Sequence, residues 1–330
     1  MVPRPDGAVE LTWAANRRQW RVTAPPLVSA VIPTFNRAAD VRIAVGTAVA
    51  QTYPASALEI IVVDDGGTDD TEAVLRREFG DRVTYLRQAN GGVASARNAG
   101  MAAATGTLIA LLDDDDEWRP DKIARQVEVL ERRPEIGMVI TDVERMDERR
   151  APIEIFRRRA FIPTDGWVLP QVLRNPALAP ASAMFRRTVL DAVGGFDEGL
   201  RTAEDLDFHL RVALGFPIAV LAEPLTRAMR GHQGLSALAR TNRDYLDVIE
   251  RFVRDHADQI DARDRDAALF WAYARNSRGV VFEGSFRDAA LLAARAAWRV
   301  RKPDEARELG RLGATLARNA AVRLRRTVRG

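Results

Sequence analysis

The stretch Leu108-Ile-Ala-Leu-Leu-Asp113-Asp-Asp-Asp116-Glu-Trp118 decides the fold, because five apolar residues run directly into four consecutive aspartates. A short apolar run followed by acidic residues is typical of a buried strand that ends at the open edge of a sheet. Carboxylates this close repel one another, so the cluster must bind protons or lie beside a cation such as Mg²⁺ or Mn²⁺. A solvated acidic turn after the strand is the alternative.

The composition is that of an ordinary globular protein, with 47% hydrophobic and 29% charged residues among 330. The lack of cysteine excludes disulfides, zinc thiolate sites and thiol nucleophiles. No apolar run approaches the roughly 18 to 20 residues that span a membrane, and the N-terminus lacks the apolar core of a signal peptide. We therefore expect a cytoplasmic protein, either soluble or bound peripherally at the inner face of the membrane.

Short β-branched runs alternate with helical segments from Leu27 onward, which predicts an α/β fold with a mostly parallel sheet and helices on both faces. The first five predicted strands are Val28 to Ile32, Glu59 to Val63, Val83 to Leu86, Leu108 to Leu112 and Ile136 to Thr141. Residues 143–180 lack this alternation of apolar runs and helical segments and are predicted to be loop-rich. We expect an N-terminal extension over residues 1–26, an α/β domain over 27–240 and a helical, Arg-rich region over 241–330.

Acidic residues recur at three corresponding places along this pattern. Asp64 and Asp65 follow the second strand, the four aspartates follow the fourth, and Glu204-Asp205 begins a later predicted helix. Each has an ordinary structural interpretation, since a carboxylate caps a helix or favours the positive end of its dipole. Ligands of open α/β sheets bind at the carboxyl ends of the strands, so together these acids indicate one crevice.

Five ordered motifs between residues 27 and 236 resemble those of family 2 glycosyltransferases, which have the GT-A fold. The motifs are Val28-Ser-Ala-Val-Ile-Pro-Thr-Phe-Asn-Arg37, Ile61-Val-Val-Asp-Asp-Gly-Gly-Thr-Asp69, Asn90-Gly-Gly-Val-Ala-Ser-Ala-Arg-Asn-Ala-Gly100, Leu112-Asp-Asp-Asp-Asp-Glu-Trp-Arg-Pro-Asp-Lys122, and Gly194-Gly-Phe-Asp-Glu with Glu204-Asp-Leu-Asp. The resemblance implies a GT-A type, Rossmann-like α/β fold, a nucleotide-diphosphate sugar donor, a divalent metal and inversion at the anomeric carbon. It also implies a role in polysaccharide biosynthesis at the cell envelope.

The resemblance assigns a set of residues to the nucleotide sugar, namely Pro33, Phe35, Asp65, Arg97, Asp113 and Asp114. Phe35 stands where the family usually has Tyr, so the face that stacks on the nucleobase is kept and the hydroxyl is lost. Asp65 corresponds to the acceptor of a hydrogen bond from the base. Arg97 corresponds to a basic position near the base and phosphates, with a salt bridge at the sheet edge as the alternative.

The same resemblance assigns the metal and the catalytic base. Asp115 is the expected ligand of Mg²⁺ or Mn²⁺ within the DxD motif, although four aspartates in a row leave the register open. His232 lies where some relatives carry a loop that closes on the diphosphate, and it is a second candidate ligand. Asp205 corresponds to the general base that takes the proton of the acceptor hydroxyl.

The Arg-rich C-terminal helices have two interpretations. They pack on the catalytic domain or on a second copy of the chain, or they form an amphipathic element that rests on anionic lipid. Nucleic-acid binding is disfavoured, because aromatic residues are not interleaved with the arginines there.

The sequence thus predicts an inverting glycosyltransferase (hexosyltransferase-type) that moves a sugar from a nucleotide-diphosphate sugar, UDP-sugar favoured, to a hydroxyl of a glycan, lipid-linked or small-molecule acceptor. Two alternatives remain open at this point. One is a non-catalytic nucleotide-sugar-binding subunit, and the other is a metal-dependent nucleotidyltransferase, which also pairs acids at a sheet edge with metal.

Overall fold

The computed structural model describes residues 24–176, 178–229, 239–282 and 285–329. The strands within these ranges are β1 Val28–Thr34, β2 Leu58–Asp64, β3 Thr84–Arg87, β4 Leu108–Leu111, β5 Glu117–Trp118, β6 Met138–Met146, β7 Pro152–Phe156, β8 Met184–Arg186 and β9 Ile218–Met229. The helices are α1 Ala38–Val49, α2 Thr71–Phe79, α3 Val93–Ala103, α4 Lys122–Arg132, α5 Leu169–Arg174, α6 Arg187–Val193, α7 Glu204–Gly215, α8 Ala239–Asp255, α9 Ala262–Phe282, α10 Phe286–Ala297 and α11 Pro303–Arg329.

The strands form one sheet in the order β3-β2-β1-β4-β8-β6-β9-β5, with β7 added beside β6. The longest pairings, β1 with β2 and β6 with β9, are parallel, as are β1 with β4 and β2 with β3. Strand order reverses at β1, which lies between β2 and β4. Such a reversal opens a crevice at the carboxyl ends of the strands, and the acidic motifs lie there.

The central strands are buried on both faces, which explains their continuous apolar sequences. All seven residues of β1 are buried, and its alternate side chains belong to separate core clusters on the two faces of the sheet. Helix α3 packs closely on one face at Gly100, where an added Cβ would lie 2.4 Å from Val31 Cγ1. The close contact fixes α3, which carries Arg97 and Asn98, against the sheet.

Residues 143–180 contain more regular structure than their sequence indicates. Strand β6 continues to Met146 and forms a hairpin with β7, and α5 follows. The sequence predicts a strand at Ile218 to Ala222, and β9 continues beyond it to Met229. The pairing of β6 with β9 shifts register on both sides of Asp142, so the alternation of buried and exposed residues is broken. This irregularity hides the strands from a search for periodicity.

The C-terminal helices pack on the α/β domain. Helix α8 contacts α7, and α9 contacts α5. Leu246, Ile249 and Phe252 of α8 belong to the same hydrophobic cluster as Leu206 of α7 and Val172 of α5. The first of the C-terminal helices therefore closes the side of the domain on which Glu204-Asp205 lies. Across the described residues, no helix is both long and apolar enough to cross a bilayer.

Candidate functional site

The acidic turn Asp113–Asp116 is held between β4 and β5. Asp116 is buried, and its Oδ1 accepts the backbone N–H of Met229 on β9 at 3.1 Å. Burial, together with Asp113 and Asp115, raises the pKa of Asp116 well above its ordinary value. Asp116 thus anchors the turn, and the first three aspartates contact basic side chains.

Arg37 lies beside two of these aspartates. Its Nη1 is 3.0 Å from Asp114 Oδ1 and 2.7 Å from Asp115 Oδ2. Thr34, at the end of β1, donates a hydrogen bond to the other oxygen of Asp114 at 2.9 Å. Burial and the charge of Asp115 raise the pKa of Asp114 to about 7, although Arg37 opposes the shift. The two carboxylates therefore converge on one positive charge.

A divalent cation fits this convergence. In the part of the chain that the structure describes, no three His, Asp or Glu side chains are arranged as a complete metal-binding group. Magnesium sites that hold a phosphate substrate usually use only one or two protein carboxylates, with phosphate oxygens and water completing the shell. Asp114 and Asp115 supply that pair. His232, the other candidate ligand, lies outside the described residues.

Arg97 connects the acidic turn to the first turn of α7. It is 4% exposed, and its Nη2 and Nη1 each donate a 2.7 Å hydrogen bond, to Asp113 and to Glu204. The guanidinium also lies over the ring of Phe196, 5.2 Å from its centroid. Burial alone would lower the pKa of Arg97, but the two acids raise it. Arg97 is therefore a fixed cation between the two acidic motifs, and both of its terminal nitrogens bind protein groups.

Asp205 lies at the start of α7, beside Tyr245 of α8. The hydrogen bonds that Asp205 accepts from described residues both end on Oδ1, from the N–H of Leu206 at 2.8 Å and from the Tyr245 hydroxyl at 3.4 Å. Burial and the neighbouring Glu204 raise the pKa of Asp205 to about 7. A carboxylate with a pKa near 7 is suited to proton transfer at neutral pH.

A narrow cleft adjoins this carboxylate. Its lining residues are Val172, Pro176, Leu178, Asp205, Leu206, His209 and Tyr245. His209 is buried with no hydrogen-bond partner for its Nε2 among the described residues, and burial lowers its pKa to about 3. The imidazole is therefore neutral and contributes no charge to the cleft.

Hydrogen bonds from α3 and α8 fix the start of α7, where Asp205 lies, and the turn before it. Asn98 donates to the carbonyl of Phe196 at 2.9 Å and accepts its N–H at 2.8 Å, which ties α3 to the Gly-Gly-Phe-Asp-Glu turn. Asp207 accepts hydrogen bonds from Arg211 at 2.9 Å and from Arg251 of α8 at 2.8 Å. Asp207 thus holds α7 in place.

The residues expected to bind the nucleotide lie at the carboxyl ends of β1 and β2. Phe35 is 47% exposed just beyond β1, so its ring is available for stacking, whereas Pro33 is buried within the strand. Asp65 accepts hydrogen bonds from the Gln88 side chain at 2.7 Å and from the backbone N–H groups of Gly91 and Gly92 at 2.9 and 2.7 Å. Asp65 thereby orders the glycine loop that precedes α3.

Three further residues of the site were not given a role from the sequence. They are Arg37, Glu204 and Tyr245. Arg37 and Glu204 lie within the motifs quoted above, and their charge is the sequence feature that could have indicated a role in the site. Tyr245 offered none, because an aromatic residue on an amphipathic helix is more often part of a core.

The fold and this edge of the sheet define a ligand-binding α/β protein whose site combines an acidic turn with a separate partly buried carboxylate. The chain belongs to the glycosyl transferase family 2, whose sequence model matches residues 29–194. This confirms the family that the sequence motifs indicate. The matched residues extend from β1 through α6, so they include the acidic turn and end before Glu204-Asp205.

Curated relatives support the same family. An uncharacterized glycosyltransferase of Rickettsia felis is 31% identical over 198 residues, which are 58% of this chain and 32% of that protein. One of Haemophilus influenzae is 27% identical over 257 residues, or 75% and 84% of the two chains. Chondroitin synthase of Escherichia coli is 27% identical over 57% of this chain and 26% of its own length. The match covers 32% of the first of these relatives and 58% of a Rickettsia prowazekii glycosyltransferase.

Solved structures confirm the GT-A type fold. The mannosyltransferase PcManGT from Pyrobaculum calidifontis, in complex with GDP-Man and Mn²⁺, has a TM-score of 0.62 at 24% identity, over 92% of this chain and 81% of that one. S. aureus TarS residues 1–349, in complex with UDP-GlcNAc, has a TM-score of 0.60 at 16% identity, over 83% and 89%. At these sequence identities, the structural similarity shows a shared fold and nothing further.

Proposed function

We propose that the protein transfers a sugar from a nucleotide-diphosphate sugar to an acceptor hydroxyl with inversion at the anomeric carbon. The main support is the Arg97 bridge, which joins Asp113 of the acidic turn to Glu204, the neighbour of Asp205. The bridge fixes the distance between the acidic turn, which is proposed to bind the donor, and Asp205, which is proposed to act on the acceptor. A single displacement needs this arrangement, because the nucleophile and the leaving group lie on opposite sides of the reacting carbon.

Asp205 is the proposed general base. The Tyr245 hydroxyl and the Leu206 N–H hold its Oδ1, so Oδ2 is the oxygen that accepts the proton of the attacking hydroxyl. Tyr245 also donates to the charged form of the carboxylate and orients it. With a pKa of about 7, Asp205 is ionised in a large fraction of molecules at neutral pH and still basic enough to take a proton.

The proposed donor site lies between Phe35 and the acidic turn. Phe35 stacks on the base, Asp65 accepts a hydrogen bond from it, and Asp113 and Asp114 face the ribose and the sugar. Arg97 acts on the donor by orienting Asp113, since both of its terminal nitrogens already bind carboxylates. Pro33 shapes the end of β1 from within the core.

Asp115 would hold Mg²⁺ or Mn²⁺, with His232 as a further candidate. Asp114, which lies beside Asp115, would contact the cation as well as the donor sugar. When bound, the cation would neutralise the charge that develops on the departing nucleoside diphosphate. A cation at this place is supported by the geometry, because the Asp114 and Asp115 carboxylates converge on the same point, where Arg37 Nη1 lies.

The favoured donor is a UDP-sugar, and the acceptor is a hydroxyl of a glycan, a lipid-linked saccharide or a small molecule. TarS binds UDP-GlcNAc and PcManGT binds GDP-Man, so both nucleotides occur on this fold. We also propose that the protein works at the inner face of the membrane, for which the C-terminal helices supply a candidate surface.

The experiment is incubation with UDP-, GDP- and dTDP-sugars with and without Mn²⁺, followed by analysis of the products. Release of nucleoside diphosphate that depends on Mn²⁺ and is lost in Asp205→Asn is the expected result. Release of pyrophosphate would indicate a nucleotidyltransferase instead. Binding of a donor with no turnover across a panel of acceptors would favour a non-catalytic subunit.

A further inference from the structure

The outer face of α10 exposes large apolar side chains. Trp298, at the end of the helix, is 82% exposed, and Leu291 is 56% exposed. They are seven residues apart and therefore lie on the same side of the helix. Ala289 and Ala296 on the other side are fully buried against the protein. The helix thus has a buried alanine face and a solvent-facing side that carries Leu and Trp.

Basic residues flank these two side chains in the sequence. The segment 287–302 contains Arg287, Arg295, Arg299, Arg301 and Lys302, against a single acid, Asp288. The side chains of Arg295 and Arg301 are 61% and 55% exposed, although each has a carboxylate nearby, Glu250 at 3.8 Å and Asp266 at 3.3 Å. The face therefore combines exposed apolar groups with net positive charge.

We propose that the exposed side of residues 287–302 docks on the surface of an anionic lipid bilayer. Tryptophan favours the boundary between headgroups and acyl chains because its ring is apolar and its N–H is polar. Arginines beside it pair with anionic headgroups, and each such residue near the surface contributes about fivefold to the partition coefficient. Apolar insertion and charge attraction act together here, which is the combination that stable peripheral binding needs.

The only comparably exposed tryptophan among the described residues has different surroundings. Trp167 is 65% exposed, but it follows Asp165, which is paired with Arg133 and Arg159. Arg133 also pairs with Glu135, so two carboxylates match these two arginines, unlike the excess of basic residues in the segment 287–302. Charge complementarity to anionic lipid therefore selects α10, and Trp167 provides a matched control.

Docking through α10 would connect the bilayer to the helix that contacts Asp205. Helix α10 packs on α9, α9 packs on α8, and Tyr245 of α8 contacts Asp205. A membrane-bound α10 therefore holds the catalytic domain at the bilayer through directly packed helices. The docking itself does not depend on the glycosyl-transfer reaction and is tested separately from it.

The test is flotation of the full-length protein with vesicles of phosphatidylcholine alone or with about 30% phosphatidylglycerol. We expect binding to the anionic vesicles that weakens as salt is raised, and little binding to the neutral ones. Trp298→Ser and Leu291→Ser should each reduce binding at least about fivefold, and Arg287→Gln about fivefold. Trp167→Ser should bind as the unaltered protein does.

Thermal unfolding of each variant establishes that folding is intact, which is expected because the changed side chains are exposed. Equal flotation of the unaltered protein with both kinds of vesicle, or full binding by Trp298→Ser, would overturn the proposal. The proposal would also be overturned if the unaltered protein did not bind vesicles and sedimented as a dimer that Trp298→Ser dissociates. That result would assign the face to self-association.

Discussion

At the scale of single residues, the carboxylates of the site differ because their neighbours differ. Asp116 is buried under β9, Asp113 and Glu204 share Arg97, and Asp205 accepts a hydrogen bond from Tyr245. Asp116 therefore stabilises the backbone of the turn, whereas Asp115 and Asp205 are the carboxylates proposed to bind the metal and to accept a proton.

Replacing Asp205 by Asn should reduce kcat by at least about 100-fold and leave donor binding unchanged, because only the base is removed. The pKa of Asp205 is about 7, and the proposed mechanism requires its ionised form. The initial rate at low substrate should therefore rise with pH through about 7 and then level off. A normal rate in the variant, or a flat pH profile, would contradict the assignment of the base.

Replacing Asp115 by Ala should abolish the dependence of donor binding on metal. Calorimetry with UDP, with and without Mn²⁺, measures this directly. We expect Mn²⁺ to strengthen UDP binding to the unaltered protein and to have no effect on the variant. An unchanged Mn²⁺ effect would move the metal to another aspartate of the turn.

Replacing Arg37 by Gln should tighten the binding of Mn²⁺ alone by roughly three- to tenfold. The guanidinium pairs with both Asp114 and Asp115, so it competes with the cation for the same oxygens. Titration of Mn²⁺ followed by electron paramagnetic resonance gives the affinity. Arg42→Gln is the control, because Arg42 pairs with Glu78, away from the acidic turn. Equal affinities in the two variants would contradict the competition.

At the scale of elements, the position of α3 against the sheet sets the geometry of the site. Gly100 allows the helix to approach β1 and β2, and Arg97 and Asn98 on the same helix reach α7 and the turn before it. A shift of α3 would move both contacts together. The packing of one glycine therefore matters to residues far from it in the sequence.

Gly100→Ala should lower the free energy of unfolding by about 1 to 3 kcal/mol, because the new Cβ meets Val31 at 2.4 Å and Val63 at 3.1 Å. The matched control is Gly310→Ala in α11, where nothing lies within 4 Å of the added Cβ. That change should be neutral or stabilise by up to about 1 kcal/mol, as alanine favours helix over glycine. Urea unfolding measures both, and equal effects would contradict the packing argument.

At the scale of the whole molecule, the α/β domain and the C-terminal helices share one hydrophobic cluster. The boundary near residue 240 stays a prediction, since the helices do not have a separate core from α5 and α7. Tyr245 adds a functional link, because its hydroxyl reaches Asp205 across the boundary. The helical region is therefore expected to support both stability and catalysis.

Removal of residues 241–330 should lower the melting temperature markedly and expose apolar surface, because Leu206 and Val172 lose the side chains packed against them. The unaltered chain should unfold in one transition when followed by both circular dichroism and tryptophan fluorescence. A truncated chain that is as stable as the full one, or two separate transitions in the full chain, would show that the helices fold independently.

The sequence by itself determined the α/β class, the family, and the places where acids end the strands, since these depend on local periodicity and contiguous motifs. It did not reveal β7 or α5. It also missed the continuation of β9 beyond Ala222, because the register shifts around Asp142 break the alternation of side chains.

Only the tertiary structure decided which charges meet. Arg97 and Glu204 are 107 residues apart, and Tyr245 and Asp205 are 40 apart on different helices. It likewise separated Asp116, which accepts the backbone N–H of Met229, from Asp114 and Asp115, which pair with Arg37. Burial and the partner of each carboxylate arise from packing between distant elements, and these two quantities set the charge and the orientation of the site.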